Sequence, residues 1–369
     1  MEIHPLTHSV NTSAACPPVS GRERMEWLDA LRGFTMILVV AYHVAQISFG
    51  QSIKLSASLP VLVLFRMPMF FFISGFLAYK PGFNWTRGRL RSMVWKKLKI
   101  QVIPAFVFLC VFIVVRMPRF GDGFALCMEK STKGGYWFTW SLLHMFVVYY
   151  VFAYMESRLR LRSWIPIAAL WLMALCVYAT LYMPSWFSYH KEPFFQYTSL
   201  VETLRFFHFF LLGNIVRRYW NGWQRLFDSR WFFPVAAVTA FVCCADVLKW
   251  HTLRLQWTNL PRTAAMYLLM LIVFMFFRYY RDCLTRSHRR GRFLQYIGRR
   301  TLDIYLLHFI FLPKLTFAGK FLDANRLNFC ADIVCAVSVA LVVIGFCCLA
   351  SNILRMSPFF KKTLFGRKQ

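Results

Sequence analysis

Acidic side chains are scarce in this sequence. Asp and Glu together number 15 among 369 residues, against 44 Lys and Arg, and the formal net charge is +29. A charge of this size can attract polyanions such as nucleic acids. The basic residues, however, lie in short segments between long hydrophobic runs, which is the pattern of the inner loops of membrane proteins. We therefore expect no nucleic acid as a partner.

Charged residues of either sign are also few, since they make up 16% of the chain, whereas 58% is hydrophobic. Soluble domains usually contain about a quarter charged residues. A run of about 20 apolar residues is long enough to cross a bilayer, and the sequence contains many such runs. These features exclude an ordinary soluble domain and predict an all-α integral membrane protein.

Motifs for metal binding are missing as well. The 11 cysteines include no Cys-x-x-Cys pair, and most of them lie within apolar runs. Buried cysteine usually behaves as a small hydrophobic residue, and no spacing typical of a zinc site occurs. We therefore expect no metal cofactor and assign the cysteines no chemistry.

About ten transmembrane helices are predicted, and alternate connecting segments are strongly basic. The approximate spans are 27–49, 59–79, 98–116, 137–155, 164–183, 200–216, 231–249, 260–277, 301–318 and 329–353. Lys and Arg favour the cytoplasmic side of a membrane, so both termini are predicted to be cytoplasmic. The basic inner segments would also attract anionic membrane lipid. The domain prediction is a cytosolic tail at 1–24, a membrane domain at 25–355 and a basic cytosolic tail at 356–369.

The first predicted span contains two ionisable residues, Arg32 and His43, in an otherwise apolar run. Eleven residues at 100° each make three turns plus about 20°, so the two share a helix face and lie roughly 16 Å apart along the axis. Asp29 lies one turn before Arg32 and can pair with it. An arginine at the entrance suits phosphate binding, and a deeper neutral imidazole suits a general base. The alternative is a snorkelling arginine and a structural histidine.

The second span contains the segment FRMPMFFFISGF, in which Arg66 lies at the start and Ser74 and Gly75 lie in a phenylalanine-rich stretch. Small residues allow transmembrane helices to approach closely, so helix packing competes with chemistry as the reason for this pair. Polar residues within membrane spans commonly face a cavity, which makes Arg66 a candidate for ligand binding.

The sixth span contains Glu202, Arg205 and His208 at every third position, so they follow one side of the helix. Acceptor binding, proton relay and a structural ion pair are all compatible with this line. His144 and His308 lie in other spans, where they can face a cavity or pack in the core. The sequence leaves these alternatives open.

Four segments together resemble the membrane acyltransferase-3 family. The first span has the family's Arg, ten residues and then His, as Arg32 and His43, and the second has Phe-x-x-Ser-Gly-Phe at 71–76. The segments GGYWFTWSLLHMF at 134–146 and TLDIYLLHFIF at 301–311 are similar to later family motifs. Two departures are Lys96-x-x-Lys99 in place of Arg-x-x-Arg and the absence of a SLAVEEQFY-like motif.

The resemblance implies an O-acyltransferase of a bacterial inner membrane. It would move an acyl group, expected to be acetyl, from cytosolic acyl-CoA to a hydroxyl of a cell-envelope carbohydrate or glycolipid, with no metal. The implied roles are catalysis for His43, Asp29 and Ser74, acyl-CoA binding for Arg32, Lys96, Lys99 and Arg66, and acceptor binding for Glu202, Arg205, His208, Trp137, His144 and His308.

Two other function classes fit the same features. A transporter or flippase of an anionic envelope intermediate, or a non-catalytic membrane assembly protein, would also use basic inner loops and buried histidines. The sequence leaves open the acyl chain, the acceptor, direct transfer or an acyl-histidine intermediate, which basic residues hold the CoA phosphates, and the oligomeric state.

Overall fold

A computed structural model describes residues 25–52, 56, 58–159, 164–181, 191–247, 259–324 and 329–357 of the chain. Within these ranges the protein forms sixteen α-helices and short π- and 3₁₀-helical segments, and it contains no β-strand. The predicted all-α fold is therefore confirmed.

The helices are numbered in chain order. Their bounds are α1 Glu26–His43, α2 Leu59–Ala78, α3 Arg87–Lys97, α4 Ile103–Arg116, α5 Phe120–Glu129, α6 Trp137–Arg158, α7 Ile165–Thr180, α8 Pro193–Tyr197, α9 Leu200–Arg218, α10 Trp220–Asp228, α11 Phe232–Val247, α12 Asn259–Tyr279, α13 Arg289–Arg299, α14 Thr301–Phe311, α15 Thr316–Ala324 and α16 Phe329–Met356. A π-helical segment, Val44–Ser48, continues α1, and a second one, Leu98–Val102, joins α3 to α4.

Six helical stretches in the described part of the chain are long and apolar enough to cross a membrane. They are Glu26–Ser48, Leu59–Ala78, Arg87–Arg116, Trp137–Arg158, Pro261–Tyr279 and Phe329–Met356. The number rises to eight if two bent helix pairs, α10 with α11 and α14 with α15, each form one span. The chain is thus a multi-pass membrane protein, while the count of ten spans and the cytoplasmic termini stay predictions.

The predicted ninth span, 301–318, is not one straight helix. It ends at Phe311, two residues before Pro313, and α15 continues at an angle of 91°. A proline removes a backbone donor and disfavours helical geometry in the residue before it, so a break at this point is expected. Arg116 donates a hydrogen bond of 2.7 Å to the carbonyl oxygen of Leu312, which satisfies a backbone acceptor at the break.

Two glycines bring α2 and α9 into backbone contact. A Cβ atom added at Gly75 would lie 1.7 Å from the carbonyl oxygen of Phe210, and one added at Gly213 would lie 2.0 Å from that of Phe72. No side chain larger than hydrogen fits at such distances, so this crossing depends on both glycines. Gly75 therefore serves helix packing, which is one of the two roles that the sequence suggested for the Ser74-Gly75 pair.

A second glycine pair brings α1 against α13. A Cβ atom at Gly33 would lie 2.0 Å from the carbonyl oxygen of Leu294, and one at Gly298 would lie 1.8 Å from that of Asp29. Helix α1 also packs on α2 and α16. The helix that carries Arg32 and His43 is consequently held on several sides, and both side chains occupy a defined position in the bundle.

Candidate functional site

Two cavities adjoin inside the helix bundle. The first, here named the basic cavity, has a volume of 620 Å³, and the charged residues on its wall are Arg32, Arg66, Lys80, Lys96 and Lys97. No acidic side chain of the described residues lines it. The second, the mixed-charge cavity, has a volume of 590 Å³, and its charged residues are Arg66, Glu202, Arg205 and Arg262. Both volumes are typical of ligand sites.

Five residues line both cavities and form the junction between them: His43, Arg66, Met67, Gly135 and Trp137. His43 and Arg66 are the two of these that have ionisable side chains. Arg32 lines the basic cavity together with His43. The two residues therefore share one helix face, as the helix periodicity predicts, and this face is turned towards the cavity.

The Arg32 side chain is held at one end of the basic cavity by two neighbours. Its Nη2 atom donates a hydrogen bond of 3.0 Å to the hydroxyl of Thr301, and Nη1 lies 3.8 Å from Oδ1 of Asp29. The other carboxylate oxygen of Asp29 lies 3.6 Å from Nε of Arg299. Asp29 is buried between two arginines and lines neither cavity, so it is placed to orient Arg32 and not to contact a reacting group.

Lys96 and Lys97, at the end of α3, contribute two further cations to the basic cavity. The Nζ atom of Lys97 lies 3.6 Å from the centre of the Phe146 ring, a cation–π contact. Lys99 does not line the cavity, and its Nζ atom lies 5.1 Å from the ring centre of Trp95. The residues of this segment that line the cavity are spaced by three or four positions and do not include Lys99: Ser92, Met93, Lys96, Lys97, Ile100 and Gln101.

His43 lies at the junction with His308 beside it. Their ring centres are 5.2 Å apart, and the Nδ1 atom of His43 is buried with no hydrogen-bond partner among the described residues. Nδ1 of His308 lies 2.8 Å from the carbonyl oxygen of Tyr305. Since a carbonyl oxygen only accepts, this nitrogen carries the proton, and the other nitrogen of His308, Nε2, keeps its lone pair.

The mixed-charge cavity contains an ion pair between two residues of α9. Nη1 of Arg205 lies 2.9 Å and 3.2 Å from the two carboxylate oxygens of Glu202. Both residues line the cavity, so Glu202 and Arg205 can form an ion pair and still contact a ligand. Gln46, Thr132 and Tyr178 add polar groups to the wall.

The two cavities thus meet at a junction whose wall carries an imidazole and a guanidinium. A family model described as an acyltransferase domain matches residues 25–351. The chain belongs to the membrane acyltransferase-3 family. The matched region begins at the start of α1 and ends within α16, so it includes every residue of both cavities. No curated protein and no solved structure gives a significant match to the chain.

Of the other predicted site residues in this acyltransferase, Ser74 lines the basic cavity and Trp137 lies at the junction. Three histidines line neither cavity. Nδ1 of His144 is 3.1 Å from the hydroxyl of Thr203, that of His208 is 2.5 Å from the hydroxyl of Tyr267, and His308 lies behind His43. The structure therefore places none of these three histidines, for which acceptor binding was predicted, on the wall of either cavity.

Sequence reasoning missed several residues of the acyltransferase site. The most informative is Tyr305, on the wall of the basic cavity. Its hydroxyl donates a hydrogen bond of 2.9 Å to the carbonyl oxygen of Gly135 and accepts one of 3.2 Å from the backbone N–H of Phe138. It thereby fixes the start of α6 against α14. The sequence signal that could have identified Tyr305 is its place in the segment IYLLH, three residues before His308.

The loop before α6 is held by a buried lysine. Nζ of Lys133 donates hydrogen bonds to the carbonyl oxygens of Met128, Lys130 and Gln196, at 2.5, 3.2 and 3.0 Å. Burial lowers the pKa of Lys133 to about 8. The adjacent residue Gly134 lines the mixed-charge cavity, so this lysine stabilises one part of the cavity rim.

Among the described residues of the acyltransferase, no group of three or more His, Cys, Asp or Glu side chains is arranged to hold a metal ion. The ionisable groups at the junction are the imidazole of His43 and the guanidinium of Arg66. An imidazole can accept a proton from a hydroxyl, and a guanidinium can stabilise negative charge.

Proposed function

We propose that this acyltransferase moves an acyl group, expected to be acetyl, from cytosolic acyl-CoA to a hydroxyl of a cell-envelope carbohydrate or glycolipid. The proposed setting is a bacterial inner membrane, with the basic cavity open to the cytosol. The observation that carries the proposal is the position of His43, which lies where a purely cationic cavity meets a mixed-charge one.

The basic cavity has the properties that an acyl-CoA donor requires. CoA carries its phosphates at one end and its thioester at the other, joined by a long flexible arm. Arg32, Lys96 and Lys97 offer positive charge to the phosphates, and the arginine can form a bidentate contact. Arg32 and His43 lie roughly 16 Å apart along α1, which leaves room for the arm to bring the thioester to the histidine.

The mixed-charge cavity has the properties that a hydroxyl-rich acceptor requires. A carbohydrate hydroxyl both donates and accepts hydrogen bonds, and this wall offers the carboxylate of Glu202 together with amide and hydroxyl groups. Trp137 stacks on Phe206 at 5.7 Å, so a rigid aromatic group borders the place where the acceptor would meet the donor.

In the proposed reaction, His43 acts as the general base. It removes the proton of the acceptor hydroxyl while the hydroxyl oxygen attacks the acyl carbon of the thioester. The new carbon–oxygen bond forms, the carbon–sulfur bond breaks, and the departing CoA thiolate takes the proton back from His43. The products are an ester and free CoA, with no change of oxidation state. Only the acyl group needs to pass the junction.

The test is acyl transfer by the purified protein in lipid nanodiscs, with radiolabelled acetyl-CoA and an extract of envelope glycans and glycolipids. We expect His43→Ala to lose at least about 10²-fold in turnover, because general-base catalysis contributes this much. His144→Ala is the matched control, since that histidine lines neither cavity. Wild-type turnover in His43→Ala contradicts the mechanism, and movement of an envelope intermediate without acyl-CoA favours the transporter.

A further inference from the structure

Arg66, on α2, differs from the other cations of the basic cavity in its location. It lines both cavities next to His43, and it is 9% exposed. Arg32, in contrast, lies roughly three helical turns from the histidine along α1. Arg66 is therefore at the reacting end of the proposed donor site and not at the end where the phosphates would bind, although its sequence position suggested donor binding.

The charge of Arg66 has no ion-pair partner among the described residues, and the carboxylate of Glu202 attracts it only from beyond contact distance. No carboxylate of the described residues forms an ion pair with it, because Glu202, the acidic residue on the mixed-charge wall, is held by Arg205. Its Cζ atom lies 3.5 Å from the ring centre of Tyr42, and its Nε atom is buried without a hydrogen-bond partner in the described structure.

A buried cation without a direct ion-pair partner is costly within a membrane protein. The Tyr42 ring offsets part of this cost through its electron-rich face. The arrangement becomes favourable when negative charge appears beside the guanidinium. The proposed reaction places such a charge at the junction, because attack on a thioester pushes the carbonyl electron pair onto the carbonyl oxygen.

We propose that the Arg66 guanidinium is a catalytic group that stabilises this oxyanion, an inference that rests on the proposed function. As the acceptor oxygen bonds to the acyl carbon, the carbonyl oxygen becomes negative and faces the N–H groups of Arg66. When the tetrahedral centre collapses, the carbonyl re-forms and the CoA thiolate leaves, taking the proton from His43. A hydrogen-bond donor that is held in place before the reaction, in a site of low polarity, stabilises such an oxyanion effectively.

The first experiment measures the donor carbonyl directly and needs no acceptor. Isotope-edited infrared spectra of acetyl-CoA labelled with ¹³C at the carbonyl are recorded on the full chain in nanodiscs. We expect the carbonyl frequency of the bound molecule to be lower than in water, because a cationic donor polarises it. Arg66→Met should remove this shift, whereas Arg66→Lys should keep part of it. Arg89→Met is the matched control and should keep the shift, since that exposed arginine lines neither cavity.

The second experiment separates turnover from binding. We expect Arg66→Met to lower kcat by about 10²–10³-fold, the usual effect of removing an oxyanion donor. The KM for acetyl-CoA should change by less than about twofold, because an interaction made only in the transition state does not affect ground-state binding. Arg66→Lys should be intermediate, and this variant keeps the test valid if Arg66→Met fails to fold.

Several outcomes would overturn the proposal. An unchanged carbonyl frequency in Arg66→Met and Arg66→Lys would exclude contact with the carbonyl. A rise in KM for acetyl-CoA alone would make Arg66 a phosphate ligand, and a rise in KM for the acceptor alone would make it an acceptor ligand. Failure of the wild-type protein to bind acetyl-CoA would reject the donor assignment itself. If the protein binds acetyl-CoA and its turnover depends on His43 but not on Arg66, only this inference is rejected.

Discussion

The basic cavity and the mixed-charge cavity are similar in volume but differ in charge. The basic cavity carries five cations and, within the described chain, no acidic side chain, whereas the mixed-charge cavity carries three arginines and Glu202. A wall of one sign selects a ligand of opposite charge. A wall with both donors and acceptors selects a ligand by its hydrogen bonds. The asymmetry favours a polyanion on one side of His43 and a polyol on the other.

The two cavities also differ in how the chain builds them. Most cations of the basic cavity come from the ends of helices, such as Lys80 after α2 and Lys96 and Lys97 at the end of α3. The ion pair of the mixed-charge cavity lies within the first two turns of α9. Long side chains at helix ends can follow the position of a flexible ligand, while a paired carboxylate is fixed. Substitutions in the two cavities should therefore have separable effects.

The largest effect is expected at the junction, where Gly135→Ala should damage both cavities. Its φ is 103°, which disfavours any side chain, and a Cβ atom there would lie 2.1 Å from Cζ of Phe309. We expect turnover to fall by about 10²-fold, because displacement of about 1 Å near the reacting atoms has this effect. Acyl transfer in nanodiscs measures it.

Gly82→Ala is the matched control for that prediction. Gly82 also has a positive φ, 66°, but no atom lies within 4 Å of its added Cβ. It should keep wild-type turnover, although its stability should fall by about 1 kcal/mol or more from backbone strain alone. Equal losses of turnover in the two variants would mean that the junction has no special role.

Charge reversal in the basic cavity should affect the donor alone. Arg32→Glu removes the hydrogen bond to Thr301 and places a negative charge where a phosphate is proposed to bind. We expect the KM for acetyl-CoA to rise by about 10²-fold. The substitution removes charge-assisted hydrogen bonds and adds charge repulsion, and the two effects together are worth several kcal/mol. Steady-state kinetics and CoA binding by calorimetry measure it. Arg89→Glu, on an exposed arginine outside both cavities, should change neither value.

Neutralisation in the mixed-charge cavity should affect the acceptor alone. Glu202→Gln keeps the size of the side chain but weakens the contact with Arg205 and removes a strong hydrogen-bond acceptor. We expect about a tenfold rise in the KM for the acceptor, with the KM for acetyl-CoA unchanged. Glu156→Gln, which breaks the ion pair with Arg218 outside both cavities, is the control. A change in the KM for acetyl-CoA in Glu202→Gln would contradict the separation of the two cavities.

The smallest effect distinguishes two neighbouring lysines. Lys97→Met removes a cation from the wall of the basic cavity, so the KM for acetyl-CoA should rise by roughly fivefold, the value of about 1 kcal/mol. Lys99→Met changes an exposed residue, and the same KM should stay at its wild-type value. The reverse order of effects would show that the family's Arg-x-x-Arg spacing, and not the observed wall, identifies the donor ligands.

Regular periodicity explains which of these features the sequence could predict. Arg32 and His43 follow α-helical geometry without interruption, so their common face was predictable. Which face of the helix around Lys96 turns to the cavity was not predictable from the family spacing, and the observed face includes Lys97 and not Lys99. Pro313 marked the break after α14, but not the 91° bend.

Contacts between distant segments account for most of what the sequence could not predict. His144 and His43 look alike as single histidines in apolar helices. One bonds Thr203, 59 residues away, and the other lies at a junction that α1, α2 and the loop before α6 form together. Such partners depend on which helices pack side by side, and a single sequence does not contain that information.

The narrow junction has an electrical consequence. If, as proposed, the two cavities open to opposite sides of the membrane and are hydrated, only the side chains at their junction separate the two aqueous spaces. The transmembrane voltage then falls mainly across this layer, where it amounts to about 2.3 kcal/mol per elementary charge for each 100 mV. A proton that moves across the junction would thus be coupled to the membrane voltage.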